Sequence, residues 1–346
     1  MVISLKPGVS QEDINKLIAD LEKLGVKVDL SQGATQTVLG LVGDTTVVND
    51  EAVRANRHVD KVIRVQEPYK RANRIFHPMD TVLEFKPFAQ HVGDDSKAII
   101  GGGTFAVIAG PCSVESREQV IEVANAVKKA GAAFLRGGAF KPRTSPYAFQ
   151  GMGGAGLDIL LEAKRACGLP IVTELMEISQ IELFGDVDMI QVGARNMQNF
   201  NLLKELGKSR IPVLLKRGIA STMTELLMAA EYIMAGGNDK IVLCERGIRS
   251  FDNFARNTLD LAIVPMLKKK THLPVIVDPS HATGFSWMVP AMSKAALAAG
   301  ADGIMVEVHN DPENALCDGE QSLTPCRFED MMTVLRKYAE IEGKTI

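Results

Sequence analysis

Residues 104–116, TFAVIAGPCSVES, decide how the rest of the chain is read. An apolar run rich in β-formers stops at a Gly-Pro break, and Ser116 then opens a helical pattern, SREQVIEVANAVKKAG, that ends on a glycine. The same alternation returns with AAFLRGG, PIVTEL, VDMIQVGA, PVLLKRG, KIVLCERG, PVIVDPSH and GIMVEVH, and TMTELLMAAEYIMAGG is a further helix with its own apolar stripe. Eight strand-helix units within one domain-sized span predict a (β/α)8 (TIM) barrel over residues 104–346. A doubly wound open sheet is the other α/β topology that this alternation allows.

Upstream the pattern changes. MVISLKP, VKVDLSQG, TQTVLGLVGD and DKVIRVQEP read as strands, and SQEDINKLIADLEKLG and NDEAVRANRHV as helices, giving the order βαββαβ. Residues 1–70 are therefore expected to form a small ferredoxin-like α+β domain. Its first helix has Ser10 and Asp13 at capping-box spacing, with Ile14, Leu17, Ile18, Leu21 and Leu24 on one stripe. YKRANRIFHPMD, residues 69–80, is polar and without period, so residues 71–103 are read as a linker and a segment at the bottom of the barrel.

Composition narrows the function. The 346 residues are 46% hydrophobic and 23% charged, which is ordinary for a globular protein. A net charge of −3 without a long basic run argues against nucleic acid or an anionic membrane as partner, and leaves small anions if cations gather locally. No signal-peptide core or membrane-length apolar run is present, so a cytoplasmic location is expected. The five cysteines, Cys112, Cys167, Cys244, Cys317 and Cys326, form no CxxC pair, so a special cysteine is a ligand or a nucleophile.

In such a barrel the chemistry is built where the strands end. Those ends read Cys112, Arg136, Glu174, Arg195, Lys216 with Arg217, Arg246, Asp278 with His281, and Glu307. Any one of these has an ordinary explanation as a charge where the chain meets water, but eight in register do not. Two groups separate by chemistry. Cys112, His281, Glu307 and Asp318 offer one sulfur, one nitrogen and two carboxylates to a divalent ion whose identity stays open. A nucleophilic Cys112 near a helix start is the alternative, with the fuller donor set favouring ligation. The second group, Arg136, Lys141, Arg143, Arg195, Lys216, Arg217 and Arg246, suits a doubly anionic or two-phosphate substrate set, with Thr144 and Ser145 as added hydroxyl donors.

The segments AGPCSVES, LRGGAFKPRTSPYAFQG, IQVGARNMQNF, LLKRG, LCERGIRSF, VDPSHATG and VEVHNDPENALCDGEQSL resemble the 3-deoxy-7-phosphoheptulonate synthases, across essentially the whole chain. The resemblance implies a metal-dependent condensation of phosphoenolpyruvate with erythrose 4-phosphate and water, the first step of the shikimate pathway, which releases phosphate. It makes Cys112, His281, Glu307 and Asp318 ligands of one divalent ion (Mn, Fe, Zn or Co). Arg136, Lys141, Arg195, Lys216 and Arg246 become phosphoenolpyruvate contacts, and Lys141, Pro142, Arg143, Thr144, Ser145 and Asp278 erythrose 4-phosphate contacts.

Lys141 and Glu174 are the candidates for proton handling, with Cys112 and His281 in the catalytic set. Pro142 and Arg143 in KPRTS separate the chain from sister synthases for arabinose 5-phosphate, which carry Ala-Asn-Arg there; a metabolite-sensing barrel without catalysis is the reading from another class. The resemblance further implies a homo-oligomer, a tetramer, and feedback control by tyrosine or phenylalanine through the N-terminal domain, with Ser31 in DLSQGATQT as a candidate contact. Relatives are expected to close the barrel's bottom with a compact hairpin, whereas FAQHVGDDSKAIIGGG, residues 88–103, has an irregular, glycine-rich look.

Overall fold

The computed structural model describes residues 1–33, 36–64, 67–86, 97–143 and 145–346. By internal contacts the chain divides into two units, Met1–Asp80 with Lys269–His272, and Thr81–Lys268 with Leu273–Ile346.

The first unit carries β1 (Val2–Leu5), α1 (Gln11–Glu22), β2 (Lys27–Gln32), β3 (Thr37–Val42), α2 (Asp50–Arg54) and β4 (Val59–Ile63). The strands lie in the order β2-β3-β1-β4 with β1 antiparallel to β3 and β4, which is the expected ferredoxin-like sheet. Ser10 caps α1 by accepting the Asp13 N–H, and Ile14 and Leu21 turn into a core with Ile3, Leu39, Leu41 and Val62. Leu24, read as part of that stripe, lies beyond the helix end and is 47% exposed. The chain turns away there at Gly25, whose φ is +85°.

His272 is buried in this unit, its Nε2 2.8 Å from the Arg71 carbonyl and its ring stacked on His77 at 4.2 Å. Burial pulls its pKa down to about 4.

The second unit opens with a short antiparallel pair, β5 (Leu83–Phe85) and β6 (Ala98–Ile100). The part of the glycine-rich stretch that looks irregular in sequence, residues 97–103, therefore supplies a strand; residues 88–96 lie outside the described ones. The barrel follows as β7 (Ala106–Gly110), α3 (Arg117–Ala130), β8 (Phe134–Arg136), α4 (Gly154–Cys167), β9 (Ile171–Glu174), β10 (Met189–Val192), α5 (Phe200–Lys208), β11 (Val213–Lys216), α6 (Met223–Ala235), β12 (Ile241–Glu245), α7 (Ile263–Lys270), β13 (Val275–Val277), α8 (Pro279–Thr283), α9 (Val289–Ala298), β14 (Gly303–Glu307) and α10 (Pro325–Ile341). After β9 the expected α-helix is a 3₁₀ segment, Ile178–Phe184.

All eight strands pair in parallel, and β14 meets β7 from Gly303↔Ala106 to Glu307↔Gly110, which closes the sheet and rules out the open alternative. Alternate residues point inward: Ala106, Ile108, Phe134, Val172, Met189, Leu214, Val242, Cys244, Ile276 and Met305 fill the interior. Leu83, Phe85 and Ile100 join this cluster, with Phe85 edge-on to Phe134 at 4.9 Å. The β5–β6 pair thus covers the end of the barrel where the strands begin, and its apolar side chains are stabilised by burial against the barrel core.

Two outcomes test this description. Phe85→Ala should lower stability in urea unfolding by about 3 kcal/mol, because a buried aromatic leaves a cavity; an unchanged midpoint would mean that the hairpin is not part of the core. His272 titrates near 6.5 when unfolded and about 4 when folded, so below pH 6.5 the unfolded chain binds more protons. Stability contributed by its neutral ring should then fall as pH drops from 6.5 toward 4, by up to about 1.4 kcal/mol per pH unit. His272→Gln should flatten that slope; the same slope in the variant would assign it to another group.

Candidate active site

Cys112 reaches its place through a corner that only glycine permits. Gly110 ends β7 with φ +153°, and a Cβ there would lie 2.1 Å from the Arg136 carbonyl oxygen. Pro111 follows, its carbonyl accepting from Arg136 Nη1 at 3.0 Å, and the Cys112 carbonyl accepts from Gly138 N–H. The thiol is buried, 3.2 Å from Asp318 Oδ2 and 3.0 Å from Lys141 Nζ.

His281 sits on α8, a short helix capped by Asp278, whose Oδ1 accepts the His281 N–H at 2.9 Å. The ring's Nδ1 is 2.7 Å from Asp278 Oδ2 and its Nε2 3.3 Å from Glu307 Oε1. Glu307 ends β14 with no exposure, paired with Arg136 Nη1 at 2.6 Å and accepting from Gln321 Nε2 at 2.6 Å. One ligand atom from each of Cys112, His281, Glu307 and Asp318 can be chosen so that all lie within 4.8 Å of one another.

A donor set of one sulfur, one nitrogen and two oxygens fits a divalent ion of borderline character. The Asp278 carboxylate stands behind His281, its Oδ2 close to Nδ1, which is where a carboxylate supports a ligating histidine. Burial alone would raise the Asp278 carboxyl, but His281 and Lys216 beside it and the hydrogen bonds from His281 hold it well below the usual carboxylate range. Glu307 and Asp318 behave alike: burial opposes ionisation, and His281 with Arg136 in one case and Arg256 in the other outweighs it. The contact with Cys317, then burial and the charge of Glu307, push the Cys112 thiol well up.

Above this cluster opens a cavity of about 650 Å³. Eight cations line it, Arg136, Lys141, Arg143, Arg195, Lys216, Arg246, Arg249 and Arg256, against two carboxylates, Glu174 and Asp318. Arg136 Nε and Arg246 Nη1 are buried and have no hydrogen-bond partner among the described residues, so two guanidinium nitrogens there are left without an acceptor. Pro142 and Ser145 share the wall, and His281 is on it as well. Thr144 lies outside the described residues. Glu174 ends β9 and accepts from Gln191 Nε2 at 3.0 Å.

Two expected members do not face this space. Asp278, expected among the sugar-phosphate contacts, is fully buried behind the wall, its Oδ2 2.5 Å from Lys216 Nζ. Arg217, counted among the mouth cations, points its Nη1 at Glu245 (2.9 Å) and Asp260 (2.8 Å), so a buried ion pair consumes its charge. Arg195 follows β10 on a 3₁₀ turn, Ala194–Asn196, rather than ending the strand. Arg249, Arg256 and Gln191 are wall residues that strand-end reasoning passed over. The first two stand in the loop after β12, with no period or strand to mark them, and Gln191 is an interior residue of β10.

Residues 86–342 match the DAHP synthetase I family, and residues 1–67 match the DAHP synthase ferredoxin-like domain. The chain is 46% identical over 344 residues to phospho-2-dehydro-3-deoxyheptonate aldolase of Thermotoga maritima, covering 99% of each. The crystal structure of DAHP synthase from Thermotoga maritima superposes with a TM-score of 0.76 over 99% of this chain and 98% of that one, at 46% identity. A 2-dehydro-3-deoxyphosphooctonate aldolase of Syntrophobacter fumaroxidans is 32% identical over 70% of this chain and 88% of its own length.

Asp278→Asn should leave Lys216 buried without its counter-charge and His281 without its orienting carboxylate. The expected cost is about 3–5 kcal/mol in unfolding stability, together with weaker metal binding measured by chelator competition. Unchanged values in both would place Asp278 outside the supporting framework.

Proposed function

The chain belongs to the DAHP synthetase I family, and from that membership we propose that it joins phosphoenolpyruvate to erythrose 4-phosphate and water, giving 3-deoxy-D-arabino-heptulosonate 7-phosphate and phosphate. The observation that carries this reading is the junction of four metal-type donors with a cavity walled by eight cations. Two phosphates and a carboxylate demand that excess of positive charge, and few other small-molecule pairs would.

Cys112, His281, Glu307 and Asp318 would hold one divalent ion, which supplies Lewis-acid polarisation of the aldehyde oxygen when bound. Arg136, Lys141, Arg195, Lys216 and Arg246 grip the phosphate and carboxylate of phosphoenolpyruvate and hold its C3 toward the aldehyde carbon, a positioning effect that also neutralises crowded anions. Pro142, Arg143, Thr144 and Ser145 receive the second phosphate. After the new C–C bond forms, water adds at C2 and the C–O bond to phosphate breaks, with Lys141 and Glu174 moving the protons. Asp278 acts from behind, by holding Lys216 and His281.

The match of residues 1–67 to a DAHP synthase ferredoxin-like domain supports a regulatory role for the segment up to residue 70, with residues 71–103 linking it to a catalytic barrel over 104–346. Tyrosine or phenylalanine is the proposed effector class, and Ser31, half-buried on β2, a proposed contact. A homotetramer and a cytoplasmic location belong to the same reading. No helix among the described residues is long and apolar enough to cross a membrane.

Metal-stripped protein should release no phosphate from phosphoenolpyruvate, and resupplied Mn²⁺ should restore release with erythrose 4-phosphate but not with arabinose 5-phosphate. Release with arabinose 5-phosphate instead would overturn the reading of Pro142 and Arg143. Silence with both sugars would favour a sensing barrel.

A further inference from the structure

Glu115 stands three residues past Cys112, on the loop between β7 and α3, and does not line the cavity. Its side chain is 12% exposed and fully engaged. Oε1 accepts the Leu316 N–H at 3.1 Å and the Ser113 hydroxyl at 3.0 Å. Oε2 lies 3.3 Å from Nε2 of His309. His309 Nδ1 accepts the Asp311 N–H at 3.0 Å, so Nε2 carries the ring proton and donates it to Glu115. One carboxylate therefore ties the loop that bears Cys112 to the loop that bears Asp318, two residues past Leu316.

The second loop needs such a tie. Asp318 has φ 50° and ψ 38°, and among the described residues it alone is a non-glycine with positive φ. That left-handed conformation crowds a residue that carries a Cβ and is held in place by its surroundings. On the far side it is held by Ser322, whose hydroxyl donates to the Asp318 carbonyl at 3.1 Å. Gly319 follows because a Cβ there would lie 2.1 Å from the Pro312 carbonyl oxygen. On the near side the Leu316 N–H is held on Glu115, and Arg143 Nη1 contacts the Cys317 sulfur.

We propose that Glu115, oriented by His309, is the positioning residue of the metal site. It fixes the strained Asp318 loop against Cys112, so that two ligands 206 residues apart stand at ligating separation before an ion arrives. This rests on the metal site proposed above. The role is to preorganise ligands; the carboxylate itself touches neither substrate nor ion.

The test uses the full-length protein and cobalt(II) as probe, reading affinity by chelator competition, the sulfur-to-cobalt charge-transfer band, and the visible bands that report coordination. Glu115→Ala should bind cobalt(II) about 10- to 100-fold more weakly, with altered visible bands but the sulfur band retained. Glu115→Gln, which can still accept the Leu316 N–H, should recover most of the affinity. Leu316→Pro removes the N–H donor and leaves the Glu115 carboxylate in place, at an exposed side chain preceded by Ala315 at φ −62° and ψ 134°, a conformation proline tolerates after it. It should reproduce the loss, and it keeps the test decisive where Glu115→Ala does not fold. Wild-type affinity and spectrum in folded Glu115→Ala or Leu316→Pro would overturn the proposal, as would a lower melting temperature with affinity unchanged. Equal cobalt affinity in wild type and Cys112→Ala would overturn the metal-site reading itself, a result distinct from either.

Discussion

The carboxylate of Glu307 is completely buried, and both halves of the site are built around it. One oxygen faces Arg136 and the His281 ring, the other accepts from Gln321. A buried charge survives only if its lone pairs are met, and removing one partner leaves the rest uncompensated. Its place at the end of β14 is set in turn by ring closure: the β14 pairing with β7 puts Glu307 beside Gly110, two residues before Cys112. The barrel's last hydrogen-bonded pair is thus where donors and cations meet.

The cations show the complementary constraint. Lys216 and Arg217 are neighbours at the end of β11, yet Asp278 takes the first to the cavity wall and Glu245 with Asp260 takes the second away from it. Which basic side chain serves the site depends on which buried carboxylate faces it. Arg136 meets Glu307 through Nη1 while its Nε has no partner among the described residues, so one guanidinium is both anchored and available. Arg246 likewise keeps a buried Nη1 without a partner among the described residues, and burial pulls its pKa down. Donors fixed in this way need little reorganisation when an anion enters.

These facts explain what was legible in the chain. The eight apolar runs, the capping serines at 10 and 116 and the polar residues at strand ends follow local rules, and the barrel, the ferredoxin-like sheet and the donor quartet come directly from them. What local rules do not carry is direction. Nothing in LLKRG says that Arg217 turns inward, nor in VDPSH that Asp278 lies behind the wall, because the deciding partners are dozens of residues away. Arg249 and Arg256 were hidden for a related reason: an irregular loop brings them to the cavity, and loops have no period. The β5–β6 pair was obscured because its strands are only three residues each, too short for alternation to register.

Stability and function are separated along the barrel axis. At one end Leu83, Phe85 and Ile100 bury apolar surface without a charge among them. At the other, eight like charges share a cavity, two guanidinium nitrogens lack partners among the described residues and Asp318 holds a left-handed backbone. Each of those features opposes folding on its own, by like-charge repulsion, lost hydrogen bonding or strain. They persist because the closed sheet and its packed bottom hold the strands that carry them, which makes the stability of the barrel the condition for a cation-lined site at its other end.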